Sequence, residues 1–130
     1  MRIEEHLKAF QEHRDAIDWA INRGIEKSHR IVGTHASRGI TELLTAYLHK
    51  IGRIDAGFQI NHRWFKSQKV GGKFPDFPKK NPIVAKMVEL ESKSENLTYG
   101  SQKSEKEVKK VIELVNELEL MLKELMKDEK

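Results

Sequence analysis

The sequence lacks cysteine, has only three prolines, and contains no apolar run long enough to form a membrane-spanning helix. The missing cysteines exclude a disulfide framework and every metal site built on thiolates. The first residues are largely charged and lack the apolar core of a signal peptide. We therefore expect a cytoplasmic protein without membrane contact. Its 130 residues suit a single domain spanning residues 1–130.

The motifs of two large enzyme classes are also missing. There is no Gly-x-Ser-x-Gly nucleophile turn and no Gly-x4-Gly-Lys-Ser/Thr phosphate loop. The glycine-containing run at residues 70–73 is too short for such a loop and has no strand before it. Nothing in the sequence therefore predicts a cofactor.

Positive charge is concentrated in the middle of the chain. The net charge is +4, whereas residues 53–80 hold seven basic side chains against two acidic ones, a local +5. Residues 104–130 hold six basic and eight acidic side chains, a local −2. The middle of the chain is therefore the part that favours an anionic partner.

Apolar residues at helical spacing predict four main helices, and no run alternates with the period of a strand. The first helix covers residues 3–23, and the second runs from residue 25 or 26 to residue 51. Gly33 and Gly39 lie inside the second helix, where each costs about 1 kcal/mol relative to alanine. We expect them to allow close approach of a neighbouring helix. A break of the helix near Gly33 is the alternative.

The second half of the chain begins with an irregular segment at residues 53–80, with a short helix near residues 58–65 and a loop at 70–75. Asn81 as N-cap followed by Pro82 predicts the start of a third helix, which frays near Asn96. A capping box formed by Ser104 and Glu107 precedes the final helix. The predicted fold class is all-α: an up-and-down antiparallel bundle of four main helices plus a short helix in the central segment.

Two segments and the helix order carry a family resemblance. The segments are Glu42-Leu43-Leu44-Thr45-Ala46-Tyr47-Leu48-His49-Lys50-Ile51-Gly52, which ends the second helix, and Leu97-Thr98-Tyr99-Gly100, which precedes the last one. Together they resemble the HEPN domain, the higher eukaryotes and prokaryotes nucleotide-binding family. The resemblance covers nearly the whole chain. It implies a homodimer that binds RNA or a nucleotide and pairs with a small nucleotidyltransferase-like protein in a toxin–antitoxin operon.

The resemblance also implies a catalytic pair. Active HEPN domains are metal-independent ribonucleases with an Arg-x4-6-His motif, and Arg30 and His35 match its spacing. On a continuous helix, residues five apart point in different directions. Arg30 and His35 would then need a break at Gly33 or a second subunit to act together. The alternative is that both lie on the surface and keep the protein soluble.

A second candidate site combines basic and aromatic residues in the central segment. Its nucleic-acid-binding candidates are His62, Arg63, Trp64, Lys66 and Lys69. Cations neutralise phosphates and flat rings stack on unpaired bases, so this composition suits nucleic acid. The alternative is that the aromatic residues are buried anchors of an irregular segment and the lysines an ordinary solvated surface.

The six histidines do not predict a metal site. His6 and His13 are two helical turns apart, and the sequence has no His-x3-His pair. His29 falls on the apolar stripe of the second helix, where we expect a hydrogen-bonded core histidine. Arg14 interrupts the stripe of the first helix, and we expect it to pair with a glutamate of the bundle such as Glu42 or Glu91.

Two functions from different classes remain. The first is a HEPN-like nucleic-acid or nucleotide-binding module, either a ribonuclease toxin or its inactive relative. It predicts a dimer in which Arg30, His35, His62 and Arg63 lie near one cleft. The second is a non-enzymatic interaction protein that binds itself or a partner chain through apolar surface on its final helix.

Overall fold

The computed structural model describes residues 2–55, 57–99 and 103–128. Most of them belong to four α-helices: α1 (Ile3–Arg23), α2 (His29–Lys50), α3 (Lys80–Thr98) and α4 (Glu105–Asp128). Short 3₁₀ helices occupy Ile25–Lys27, His62–Lys66 and Gln68–Lys73. No β-strand occurs in the described ranges. The predicted all-α fold class is confirmed, with two short helices in the central segment where one was expected.

Residues that meet across two helices run in opposite order along them, which fixes the helix directions. The meeting pairs are His6–Glu42 and His13–His35 for α1 and α2, Ser37–Glu91 and Gly33–Ser94 for α2 and α3, and Phe10–Lys123 and Arg14–Asn116 for α1 and α4. Each of these helix pairs is therefore antiparallel. The bundle is up-and-down, and α2 packs against the other three helices.

The two glycines of α2 allow its neighbours to approach closely, as the sequence predicts. A Cβ atom at Gly33 would lie 2.7 Å from the backbone oxygen of Ser94, and one at Gly39 would lie 2.9 Å from Cβ of His13. Real Cβ atoms do not come this close to another heavy atom. Because α2 is continuous through Gly33, the alternative of a break there is wrong.

Two predicted helix starts differ from the structure, by three or four residues for the second helix and by two for the third. The second helix begins at His29 because Ser28 donates hydrogen bonds from Oγ to the carbonyls of Ala20 (2.7 Å) and Gly24 (2.8 Å), which ties this corner to the end of α1. The third helix begins at Lys80, and Lys79, with a left-handed φ of 60°, takes the N-cap position expected for Asn81.

Two further boundaries differ because apolar side chains are buried there. The third helix continues past Asn96 to Thr98, and Leu97 is buried. The expected loop at residues 70–75 is largely the 3₁₀ helix Gln68–Lys73, in which Val70 is buried. Half of the predicted capping box is present: Oγ of Ser104 accepts a hydrogen bond from the backbone N–H of Glu107 at 3.2 Å, and Oε1 of Glu107 accepts from Oγ of Ser104 at 3.3 Å.

Aromatic side chains hold the central segment on the bundle. Phe65 is fully buried and stacks on Phe74 with ring centroids 5.4 Å apart. Trp64 is half-buried, with its ring 6.1 Å from Phe74 and 6.0 Å from Phe58. Lys73 places its ammonium 4.9 Å from the centre of the Trp64 ring. Trp64 and Phe65 therefore anchor the 3₁₀ helix His62–Lys66.

In the described part of the chain, the helices are all too short or too polar to traverse a lipid bilayer.

Candidate functional site

A polar depression lies where α2, α3 and the 3₁₀ helix His62–Lys66 meet. We call its deeper part the inner pocket, which has a volume of about 220 Å³. Its lining consists of Gly33, Thr34, Ser37, Arg38, His62, Arg63, Lys66, Glu91, Ser94, Glu95, Thr98 and Tyr99. The outer groove adjoins it and is lined by His13, Arg38, Thr41, Glu42, Gln59, Ile60, Asn61, His62, Arg63 and Trp64. Arg38, His62 and Arg63 line both parts, so the two form one surface.

The position of His62 follows from its local structure. Asn61 caps the 3₁₀ helix, because its Oδ1 accepts a hydrogen bond from the backbone N–H of Arg63 at 2.8 Å. Three residues after His62, the buried Phe65 fixes the helix against the bundle. The side chain of His62 remains 24% exposed and faces α2 and α3 at the boundary of the inner pocket and the outer groove.

A buried carboxylate lies behind His62. Oε1 of Glu91 is 2.9 Å from Nδ1 of His62 and accepts a second hydrogen bond from Oγ of Ser37 at 2.6 Å. Glu91 is 3% exposed, and a carboxylate at such depth is stable when hydrogen-bond donors satisfy it. On the other side of the imidazole, Nε of Arg38 donates to Nε2 of His62 at 3.3 Å. Ser37, Glu91, His62 and Arg38 thus form one connected chain.

The carboxylates of this surface all have partners, whereas two of its guanidinium groups are not paired with a described carboxylate. Glu42 bonds His6, Glu91 bonds Ser37 and His62, and Glu95 pairs with Lys66 at 3.0 Å, so each carboxylate that lines the surface has a partner. Among the described residues, no carboxylate lies within ion-pairing distance of the guanidinium groups of Arg38 or Arg63, and both residues are exposed. Two guanidinium groups beside His62 therefore remain available to an anion.

The inner pocket also contains a hydroxyl group without a partner. Ser94 is 3% exposed, and its Oγ has no hydrogen-bond partner in the described part of the chain. A buried hydroxyl that makes no hydrogen bond costs free energy.

Four more histidines lie between α1 and α2, beside the outer groove. Nδ1 of His13 is 2.9 Å from Nδ1 of His35, and Nδ1 of His6 is 2.7 Å from Oε2 of Glu42. The rings of His6 and His49 stack with centroids 5.3 Å apart. Burial lowers the pKa of His13, His35 and His49 below the usual 6.5, and the neighbouring cation or imidazole adds to the effect.

Nowhere in the described ranges do three histidine, aspartate or glutamate side chains come together in a way that could hold a metal ion. His29 is buried as expected from its position on the apolar stripe. However, neither of its ring nitrogens has a hydrogen-bond partner in the described residues, so the expected hydrogen bond is wrong.

The structure separates the residues of the predicted catalytic pair. Arg30 is exposed near the start of α2, whereas His35 contacts His13 on the α1 side. Because α2 is unbroken, five positions turn the chain by about 500°, which leaves the two side chains about 140° apart around the helix axis. The described lining of the inner pocket and outer groove contains neither Arg30 nor His35.

Four of the five predicted nucleic-acid-binding residues lie on this surface, and one lies outside it. His62, Arg63 and Lys66 line the inner pocket, and Trp64 lines the outer groove. Lys69 is exposed outside both of them.

Arg38 and Ser37 of this surface were not predicted from the sequence. Arg14 was expected to pair with a glutamate of the bundle such as Glu42 or Glu91. It bonds Asn116 at 2.8 Å and pairs with Asp18 at 3.1 Å, and the bundle glutamate within ion-pair distance of it is Glu119 of α4, at 3.8 Å. A usable signal was present, since Ser37 and Glu91 are polar residues that occupy buried positions on their helices.

Comparisons with protein-family models, with curated proteins and with solved structures find no match to this chain. The function of this chain is therefore inferred from the geometry of the site.

Proposed function

We propose that this chain is a HEPN-like module that binds RNA along the surface formed by the inner pocket and the outer groove. One observation carries the proposal: Arg38 and Arg63 flank the half-buried His62, and neither guanidinium is paired with a carboxylate in the described part of the chain. Guanidinium groups bind phosphate oxygens through two parallel hydrogen bonds. Two of them that line one surface suit the phosphates of a nucleic-acid backbone.

The inner pocket supports the choice of a nucleic acid over a simple anion. Ser37, Thr98 and the exposed Tyr99 line it next to the cations. Its volume of about 220 Å³ is smaller than that of the pockets that enclose drug-sized ligands. A single unpaired base, which is smaller than a whole nucleotide, would meet the ring of Tyr99 there for stacking.

The biological setting in this proposal comes from the family resemblance. A HEPN-like module of a toxin–antitoxin system would form a homodimer and pair with a small nucleotidyltransferase-like protein. Light scattering of the purified chain, alone and with such a protein encoded beside it, tests both associations.

The experiment that tests the proposal is titration of a fluorescein-labelled single-stranded RNA with the protein, followed by fluorescence anisotropy at two salt concentrations. The double variant Arg38→Ala/Arg63→Ala removes both guanidinium groups. We expect its Kd to rise by about tenfold or more. The dependence of log K on log salt should become shallower by about 1.4, as expected for the loss of two phosphate contacts to a single strand.

The matched control is Lys106→Ala/Lys110→Ala, which removes two exposed cations from α4, outside the proposed surface. It should leave both Kd and the salt dependence close to those of the wild type. An equal loss of affinity in both double variants would show that the net charge matters and the groove does not. No binding by the wild type would overturn the proposal.

Exposed apolar side chains favour a second candidate, a non-enzymatic interaction protein. Trp19 on α1 is 55% exposed, and Leu120 on α4 is 60% exposed. The final helix carries more apolar residues than one face needs, but others among them, such as Leu114 and Met121, are buried or pack against the core. If Trp19→Ala/Leu120→Ala abolishes self-association or partner binding while RNA binding is absent, this candidate is favoured.

A further inference from the structure

An accessible ion pair lines the inner pocket. Nζ of Lys66, on the 3₁₀ helix His62–Lys66, lies 3.0 Å from Oε2 of Glu95 on α3, and both residues belong to the lining of the pocket. Both side chains are half-exposed, so a ligand can reach them. Within the described ranges, Lys66 is the one partner of this carboxylate. Oε1 of Glu95 is therefore open to a further hydrogen bond.

An aromatic ring lies next to this ion pair. Tyr99 follows Glu95 by four residues, and its backbone N–H donates to the carbonyl of Glu95 at 3.1 Å, which closes the last turn of α3. Residues four apart lie on the same side of a helix. Tyr99 also lines the inner pocket and is 65% exposed. A flat ring and a carboxylate therefore share one side of the pocket.

The ion pair presents one hydrogen-bond donor next to two acceptors. The ammonium of Lys66 donates, and the two carboxylate oxygens of Glu95 accept. The Watson–Crick edge of cytosine carries groups in this same order, and its natural partner is guanine. Guanine has the complementary edge, with an acceptor at O6 followed by donors at N1 and N2. An unpaired guanine can therefore bond to all three atoms of the ion pair.

The other three bases do not match this edge. Adenine and cytosine each place an acceptor nitrogen beside one amino donor, and uracil has one N–H between two carbonyl oxygens. Each of them would set an acceptor against one of the two carboxylate oxygens of Glu95. Because a carboxylate can only accept hydrogen bonds, that contact is repulsive. The ion pair thus discriminates in favour of guanine.

We propose that Lys66, Glu95 and Tyr99 form a subsite for one unpaired guanine base of the bound RNA. The ring of Tyr99 stacks on the base, and the ion pair reads its Watson–Crick edge. The sugar–phosphate backbone remains outside, along the outer groove that Arg38 and Arg63 line. This subsite rests on the proposed RNA binding and adds a base preference to it.

The test compares four labelled uridine oligomers that carry guanine, adenine, cytosine or uracil at one central position. Fluorescence anisotropy with the full chain gives Kd for each. We expect the RNA with guanine to bind about tenfold more tightly than the other three. Inosine, which lacks the N2 amino group, should lose most of that advantage. 7-Deazaguanine, whose Watson–Crick edge is unchanged, should keep it.

Glu95→Gln tests the carboxylate itself, because it replaces one acceptor by a donor with little change of shape. Its four Kd values should agree within about twofold. Its affinity for the RNA with uracil should not fall, which also shows that the variant is folded. The matched control is Glu89→Gln, which removes a negative charge from an exposed position of α3 outside the inner pocket. It should keep the preference for guanine.

Tyr99→Ala tests the stacking partner. Loss of the ring should weaken the binding of the RNA with guanine by about fivefold or more, whereas Tyr99→Phe, which keeps a ring, should bind it like the wild type. An unchanged Kd in Tyr99→Ala would contradict the stacking of the base on this residue.

Equal Kd values of the wild type for the four RNAs would contradict the guanine subsite and leave the proposed function intact. A preference for guanine that survives in Glu95→Gln, or that Glu89→Gln loses to the same extent, would also contradict it. If the wild type binds none of the RNAs, both the subsite and the proposed function are overturned.

Discussion

His13 and His35 meet across the interface of α1 and α2 with their Nδ1 atoms 2.9 Å apart. At that distance one nitrogen must donate and the other accept, so the pair holds one proton between the two atoms. Two imidazolium rings would place N–H against N–H. The contact exists because Gly39, one helical turn after His35, lets the backbone of α2 come up to His13.

This contact predicts a loss of stability in mild acid. The pKa values of His13, His35 and His49 are lowered in the folded protein, chiefly by burial. The unfolded chain therefore binds more protons than the folded one as pH falls. The contribution of these histidines to the free energy of unfolding should be fully present above a pH of about 6.5. It should decrease as the pH falls towards their lowered pKa values.

Urea unfolding at pH 7.5 and at pH 5 measures the effect. The wild type should have a lower free energy of unfolding at pH 5, and His13→Asn should show a smaller difference between the two pH values. The same pH dependence in both proteins would contradict the assignment to this pair.

Gly33→Ala should destabilise the bundle although alanine favours helices. The new Cβ would lie 2.7 Å from the backbone oxygen of Ser94 and 2.8 Å from Cβ of Leu97, so α2 and α3 must move apart. Overpacking of this kind costs about 1–3 kcal/mol, of which the helix preference of alanine recovers at most about 1 kcal/mol. Thermal unfolding should give a lower Tm.

The control for this prediction is Gly72→Ala, because a Cβ there meets no other atom within 4 Å. Its Tm should stay near that of the wild type. A higher Tm for Gly33→Ala would contradict close packing of α2 on α3 at this position.

Glu91→Ala should lower the free energy of unfolding by about 1.5–3 kcal/mol, because the buried donors of Ser37 and His62 lose a charged acceptor. Glu95→Ala is the matched control. Glu95 lies one turn further along α3, and its ion pair with Lys66 is solvent-exposed, so its removal should cost less than about 1 kcal/mol. Equal losses of stability in the two variants would contradict the prediction that the buried hydrogen bonds of Glu91 contribute more than the exposed ion pair of Glu95.

The regular parts of the fold follow from local patterns. The apolar stripes of α1 and α4 and the cap at Ser104 depend on residues a few positions apart, and their chemistry has one dominant structural solution. Gly33 and Gly39 predict close approach of a neighbouring helix, but the residues that approach them lie far away in the sequence. The start of α2 at His29 depends on the hydrogen bonds that Ser28 makes at the folded corner.

The candidate site was only partly predictable for the same reason. His62, Arg63 and Lys66 are adjacent in a basic segment, so composition points to them. Glu91 follows His62 by 29 positions and Ser37 by 54, and no spacing rule links residues across three separate elements. Arg30 and His35 match a family spacing, yet the continuity of α2 separates their side chains.

An NMR titration of the ¹⁵N-labelled protein with a short single-stranded RNA tests whether RNA binds at this surface. We expect the largest shifts on Arg38 Nε–H, the imidazole of His62 and the backbone amides of the 3₁₀ helix His62–Lys66. Residues around Trp19 and Leu120 should remain unchanged. Shifts centred on Trp19 and Leu120, or none at saturating RNA, would contradict the assignment of this surface as the RNA-binding site.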